Sequence, residues 1–278
     1  MKVAYLGPKG TFTEKATKIL FSDEELIPMQ PIRNVVMAVE SGKVTYGVVP
    51  IENFYNGEIR ETLDSLTDCD KTRIIKELAL PIVHCLGALP WHDRIKEILS
   101  KDQALEQCAK YICKYYPDAL QIATPSTAEA IEIIKREKRL NAAVIASEKA
   151  LKDSGFKILA KDLCSNNKTR FVVLGREETS PTGDDKTFLA IHPPVRDRPG
   201  VLANIINPIS SLGINMEYIQ SRPDGKSGYY FYIEINGHQK DKKVKIATEA
   251  IKLSLDAEKK YPDTLKILGS YKNTHWKE

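Results

Sequence analysis

Apolar positions along the chain follow two rhythms. In the longer, N-terminal part, short apolar runs alternate with amphipathic stretches. Val3 to Leu6 reads as a strand, GPKGT as a turn, and Glu14 to Phe21 as a helix. YGVVPIEN reads as a strand ending at Pro50, and the apolar runs ALPIVHCLGAL and IKEIL follow. Asp102 to Tyr116 then places Leu105, Cys108, Ala109, Ile112 and Tyr116 on one helical face. LQIAT is a strand, Ala128 to Lys138 a helix and AAVIA a strand, followed by a helix that Gly155 can end as its left-handed cap. Repeated strand–turn–helix units predict a mainly parallel α/β sheet. Ligands are expected at the carboxyl ends of its strands, beside helix N-termini.

The second rhythm begins after REETSPTGDDK, Arg176 to Lys186, a stretch without an apolar residue that reads as a linker. TFLAIHP is a strand, and Val201 to Leu212 a helix with Leu202, Ile205, Ile206, Ile209 and Leu212 on one face. Pro199 suits its first turn and Gly213 its exit. INMEYIQS and GYYFYIEI alternate as strands around the turn RPDGKSG; a helix from about Asp241 to Lys259 and the strand LKILGSY close the chain. The order β-α-β-β-α-β is the ferredoxin-like arrangement. The expected domains are therefore residues 1–176 and 187–278.

Composition narrows the class. A chain of 278 residues suggests two domains, and 42% hydrophobic with 28% charged residues fits a soluble globular protein. Forty-one basic against 37 acidic residues give +4, spread along the chain, unlike a nucleic-acid footprint. MKVAYLGPKG holds no apolar stretch before a cleavage site, so no signal peptide is expected. Leu78 to Trp91 is too short to span a bilayer and is broken by Pro81, His84 and Pro90, so no membrane association is expected. Five cysteines and five histidines show no metal-type spacing. Reduced core thiols, a cytoplasmic location and no metal are the expectation.

Candidate chemistry is concentrated at turns. GPKGT lacks phosphate-loop spacing; it reads as an anion-binding helix start with Thr11 or Thr13 as N-cap. Ser100 with Gln103, and Ser126 with Glu129, form capping-box spacings. VPIEN ends a strand with Glu52 and Asn53. Most pointed is CSNNKTRFVVLG, which crowds Ser165, Asn166, Asn167, Lys168, Thr169 and Arg170 before an apolar strand. Arg170 offers a planar donor fork suited to a carboxylate, and the Thr169 hydroxyl can donate a proton without carrying charge. On residue types alone this is a site for a small anionic molecule, or turn chemistry.

Taken in order, GPKGTF, VPIEN with Gly57 and TLD, QALEQC, STA (Ser126 to Ala128) and NNKTRFVVLG resemble the prephenate dehydratase family. RPGVL (Arg198 to Leu202), GIN, SRP (Ser221 to Pro223) and LGSY resemble its ACT regulatory domain. The resemblance implies a catalytic region of two α/β subdomains around a cleft, the second spanning about residues 80–157. It implies conversion of prephenate to phenylpyruvate with loss of carbon dioxide and water, in phenylalanine biosynthesis, without a cofactor. Thr169 falls on the family's donor to the leaving hydroxyl, and Arg170 would orient a carboxylate. Asn53, Ser100, Gln107, Ser126, Thr127 and Ala128 match its other polar site positions.

In the ACT part the resemblance implies a dimer interface that binds L-phenylalanine, within a homodimer or homotetramer. Gly200, Val201, Leu202, Asn215, Ser221, Arg222 and Pro223 are the matching positions. Phe54 stands where the family usually has Ser, Lys101 and Asp102 replace His-Pro, and Gln220 replaces Glu before Ser-Arg-Pro. Two other readings stay open: an arogenate dehydratase, and a non-catalytic amino-acid sensor. A fragment ending near Arg176, provided it stays folded, is expected to be active and insensitive to phenylalanine.

Overall fold

The computed structural model describes every residue except 56, 165–166, 194–198, 226–227, 256–263 and 276–278. In chain order the first elements are β1 (Lys2–Leu6), α1 (Phe12–Leu20), β2 (Glu25–Met29), α2 (Ile32–Glu40), β3 (Tyr46–Asn53), β4 (Gly57–Glu58), α3 (Arg60–Thr67) and β5 (Arg73–Pro81). Next come β6 (Cys85–Ala88), β7 (Glu97–Lys101), α4 (Asp102–Gln107), α5 (Ala109–Tyr115), β8 (Leu120–Thr124), α6 (Thr127–Glu137), β9 (Ala142–Ala146), α7 (Glu148–Asp153) and β10 (Lys157–Ala160). The chain ends with β11 (Lys168–Gly175), β12 (Asp185–Ile191), α8 (Val201–Ser211), β13 (Met216–Pro223), β14 (Tyr229–Asn236), α9 (Lys242–Ser254) and β15 (Leu265–Lys272). Contacts divide it into two compact units. One holds Met1–Glu52, Glu58–Ala79 and Arg170–Glu278; the other holds Asn53–Gly57 and Leu80–Thr169.

The first unit is built on one sheet of order β13-β14-β12-β15-β5-β11-β3-β1-β2, with β4 beside β3. β1 runs parallel to β2 and β3. Its inner strands are buried on both faces, so Val48, Val49 and Ile51 of β3 and Phe171 to Leu174 of β11 are apolar runs rather than alternations. β3 does not end at Pro50; it continues to Asn53, and the Pro50 carbonyl accepts from the Thr62 hydroxyl at 2.7 Å. At the start of α1, Thr11 is the N-cap and accepts from Glu14 N–H at 3.3 Å. The anion held at this helix start is the chain's own: the Glu14 carboxylate accepts from Gly10 N–H at 2.5 Å.

The C-terminal strands form the expected β-α-β-β-α-β sheet, order β13-β14-β12-β15, antiparallel throughout. Gly200, with φ 91°, caps α8, so Pro199 lies outside the helix, and Gly213 (φ 65°) follows its end. Ile205 and Ile209 are buried on α8, whereas Leu202 is exposed. α9 ends at Ser254, earlier than expected, and Asp256 to Lys259 lie outside the described residues.

Residues 176–184 carry no helix or strand, as a linker should, yet the sheet and core do not stop there. β15 pairs with β5 in parallel, Gly269 opposite Ile74. A Cβ on Gly269 would stand 2.1 Å from the Ile74 carbonyl oxygen, so only glycine permits that approach. Phe188, Tyr232, Leu268 and Tyr271 belong to the same apolar cluster as Val35, Val49 and Leu174. A fragment ending near Arg176 would lose those core partners, so its expected activity depends on folding without them.

The second unit carries the sheet β10-β6-β9-β7-β8. β7 is parallel to β8 and β9, while β6 is antiparallel to β9 and β10, which makes this sheet mixed. The expected long helix from Asp102 is two short ones, interrupted at Cys108 (φ −95°, ψ 4°). Leu105, Cys108 and Ile112 are buried as expected; Ala104 replaces Ala109, which is exposed. α6 packs Ala130, Ile131 and Ile134 inward, and the Ser126 hydroxyl caps it by accepting from Glu129 N–H at 3.1 Å. Gly155 (φ 75°) follows the end of α7. No helix among the described residues is long and apolar enough to cross a membrane.

Candidate active site

In the second unit three expected site residues meet. Asn53 closes β3, Gln107 ends α4, and Thr169 is the second residue of β11. The Asn53 side-chain amide donates to Thr169 Oγ1 at 2.8 Å and to Asn167 Oδ1 at 3.2 Å. Gln107 Nε2 donates to Asn53 Oδ1 at 3.2 Å, and Asn167 Nδ2 donates to Gln107 Oε1 at 2.9 Å. Asn53, Asn167 and Thr169 are all buried. The Thr169 oxygen thus accepts from Asn53 while its own proton has no acceptor among the described residues. A hydroxyl whose oxygen already accepts keeps its own proton for donation.

Two members of this network were not anticipated. Asn167 was seen only as part of a polar knot; its backbone carbonyl accepts from Ile82 N–H at 2.7 Å, which pins the segment. His84 was seen only as a break in an apolar run. It is buried, and its Nε2 lies 2.9 Å from Gln107 Oε1. Burial lowers the His84 pKa below its ordinary 6.5, and the Gln107 bond offsets only part of this. The one available signal was a lone polar side chain inside ALPIVHCLGAL. Nearby, burial pushes the Cys108 thiol up to about 12.

The remaining expected residues of this unit lie elsewhere in it. Ser100 does not cap α4; it is buried in β7 and its hydroxyl donates to the Ile145 carbonyl at 2.7 Å, while Lys101 takes the cap position. Thr127 and Ala128 open α6 just beyond the carboxyl end of β8, after Ser126, so their N–H groups belong to the helix's free first turn. Phe54 is exposed, and its ring lies edge-on to Tyr55.

Arg170 falls in the first unit and is 1% exposed, with its carboxylates supplied by the protein itself. Its Nε donates to Glu77 at 2.6 Å, Nη1 to Glu234 at 2.9 Å and to Glu52 at 3.4 Å, and Nη2 to the Tyr271 hydroxyl at 2.9 Å and to Glu234. Tyr271 in turn donates to Glu234. Lys186, fully buried, lies 3.1 Å from Glu77 and 3.5 Å from Glu234. Burial alone would raise the Glu234 carboxyl, but Arg170 and Lys186 outweigh it and hold it below the usual range. With this many protein partners, Arg170 has no fork left for a substrate carboxylate.

Of the expected effector positions, Val201 is buried in the C-terminal core, and Leu202, Asn215, Ser221 and Pro223 are exposed. Arg222 pairs with Asp64 of α3. Asn215 lines a cavity of about 470 Å³ with Gly213, Asn236, Gly237 and Lys242. Among the described residues no group of three or more His, Cys, Asp and Glu side chains is placed to hold a metal ion.

Comparison with known proteins identifies the family of each part of the chain. The prephenate dehydratase family matches residues 3–179 and the ACT domain family residues 195–251. The chain is 38% identical to a bifunctional chorismate mutase/prephenate dehydratase of Stutzerimonas stutzeri, over 98% of this chain and 73% of that one. It is 34% identical to a prephenate dehydratase of Lactococcus lactis, over 90% and 92% of the two chains. A crystal structure of prephenate dehydratase from Arthrobacter aurescens in complex with L-Phe superposes with a TM-score of 0.85 at 30% identity, covering 98% of this chain and 90% of the other. The chain belongs to the prephenate dehydratase family, and is a carbon–oxygen lyase that carries an ACT domain.

Proposed function

We propose that the chain converts prephenate to phenylpyruvate, with Thr169 as the donor to the departing ring hydroxyl. The observation that carries this reading is the Thr169 oxygen accepting from Asn53 at 2.8 Å, which leaves its proton directed elsewhere. Prephenate loses its ring carboxylate as carbon dioxide. The electrons of that carbon–carbon bond enter the ring, and the C4 hydroxyl leaves with one added proton as water. Aromatisation drives the step, so the protein's task is to orient a dianion and supply a hydrogen bond or proton where negative charge develops. The first-turn N–H groups of Thr127 and Ala128 suit a substrate carboxylate. Residues 1–176 would form the catalytic part and 187–278 the regulatory part.

The test is phenylpyruvate formation from prephenate, run beside arogenate, the amino analogue. Thr169→Val is nearly isosteric and removes the hydroxyl; kcat should fall roughly 10²- to 10⁴-fold, the usual range for acid–base assistance. Wild-type kcat in that variant would return Thr169 to a turn residue, and faster turnover of arogenate would reassign the substrate.

The same reading extends to regulation. The relative from Arthrobacter aurescens was crystallised with L-Phe, and the ACT domain here offers Gly200 at a helix N-terminus with Leu202 exposed beside it. Glycine lets a ligand approach the backbone, and helix N–H groups favour its carboxylate. L-phenylalanine is the proposed effector, bound between ACT domains of a homodimer or homotetramer, with Asn215 and the Ser221–Pro223 segment at its edge.

A further inference from the structure

A chain of hydrogen bonds has a fixed direction wherever one member can only donate. In the second unit that member is the backbone N–H of Tyr55, which donates to Asn53 Oδ1 at 3.0 Å. With its oxygen so engaged, Asn53 turns Nδ2 toward Thr169 Oγ1 and Asn167 Oδ1. Gln107 meets the same Asn53 oxygen, so the atom it presents there must be Nε2. Its Oε1 then faces Asn167 Nδ2 and His84 Nε2, both at 2.9 Å. An amide oxygen only accepts. His84 must therefore carry its proton on Nε2, a tautomer that follows from one backbone N–H through two side-chain amides.

We infer that His84 is a positioning residue for the dehydration: through Gln107 and Asn53 it reinforces, from the other end of the network, the direction that the Tyr55 N–H sets and in which the Thr169 hydroxyl donates. Loss of the imidazole donor would take from Gln107 Oε1 one of the donors that hold it, beside Asn167 Nδ2. Gln107 could then turn over, bring its oxygen to Asn53, and draw Asn53 Nδ2 away from Thr169. A turned Asn53 would present Oδ1 to Thr169 and take the proton intended for the leaving hydroxyl. His84 is buried at 6% exposure and held neutral by that burial, so it supplies a donor at that point and no charge. The inference rests on the proposed role of Thr169.

The experiment uses the full chain and two substitutions. His84→Met keeps the approximate size and removes the donor; His84→Gln can place an N–H near the former Nε2. His84→Met should lower kcat roughly 10- to 100-fold, the scale of leaving one buried acceptor under-satisfied, with KM changed less than about twofold. His84→Gln should recover most of that loss. In a Thr169→Val background, His84→Met should cost nothing more, because the network's output is already gone. Wild-type kcat in His84→Met, an equal loss in His84→Gln, or a full further loss in the Thr169→Val background would each overturn the inference. Thr169→Val at wild-type kcat would instead sink the role of Thr169 itself, which keeps the two failures apart. Should the variants not fold, long-range nitrogen–proton NMR of the wild-type imidazole decides the matter. A ring protonated on Nε2 alone is expected, and a proton on Nδ1 refutes it.

Discussion

Arg170→Met tests whether the buried charges of the first unit form one balanced cluster. Four charged side chains there are at most 2% exposed: the cations Arg170 and Lys186, and the carboxylates Glu77 and Glu234. Methionine leaves two carboxylates facing one ammonium, with Lys186 3.5 Å from Glu234. It also removes the donors that Glu77, Glu234 and Tyr271 now receive from the guanidinium. Removing one partner of a buried pair costs about 3–5 kcal/mol. A folded domain holds only about 5–15 kcal/mol in total, so the variant should lose a large part of its stability. Glu234→Leu should cost a similar amount for the opposite reason: two fully buried cations keep one fully buried carboxylate, Glu77, and only the more distant, partly exposed Glu52 and Glu217 besides. The double variant is the discriminating case. Among the fully buried groups it leaves Lys186 with Glu77 at 3.1 Å, one charge of each sign, while Glu52 and Glu217 are partly exposed; apolar replacement of a buried pair is often neutral. Urea unfolding should place the double variant above both single ones, with at least about half of either loss recovered. Additive losses, or an Arg170→Met within about 1 kcal/mol of wild type, would refute the balanced-cluster argument.

The fold was legible where the sequence is strongly periodic, as in α6 and α8, and where turn glycines mark an exit, as at Gly155 and Gly213. β2 and α2 are less legible, although Ile32, Val35, Val36 and Val39 recur at helical spacing and are buried. Pro28 and Pro31 punctuate that segment and hid the pattern. The boundary after Arg176 was legible only as a change of rhythm. Continuity of the sheet through Gly269 and Ile74 depends on a pairing between residues far apart in sequence, which no local pattern reports.

The site divides in the same way. Asn53, Gln107 and Thr169 were legible through the family resemblance, and they share one network. Glu77, Lys186 and Glu234 were each visible as a charge within a strand, but their mutual neutralisation around Arg170 is a property of the folded sheet. The sequence offered Arg170 as a donor fork beside Thr169. It could not show that three of the chain's own carboxylates fill that fork.

Three further outcomes are expected. L-phenylalanine should give a calorimetric binding signal with the full chain and weaken substrate binding by roughly 5- to 150-fold, a typical coupling; no heat and no inhibition would remove it as effector. Gly269→Ala should unfold or strongly destabilise the first unit, since its Cβ would stand 2.1 Å from the Ile74 carbonyl; a melting temperature equal to wild type would show that β15 and β5 need no such approach. The third outcome is a pH dependence from His84, whose folded pKa burial lowers below 6.5. Above that value the ring is neutral in both states and contributes nothing. Below it the unfolded chain binds a proton that the folded chain refuses, so stability falls with pH by up to about 1.4 kcal/mol per unit until the folded pKa is reached. The buried thiols of Cys85 and Cys108, raised by burial, stay neutral throughout this window. Carboxylates elsewhere also titrate in acid, so the measurement is a difference: wild type against His84→Gln, unfolded in urea between about pH 7 and pH 5. The wild type should lose stability faster on acidification, and parallel curves would mean that the folded chain protonates His84 as readily as the unfolded one.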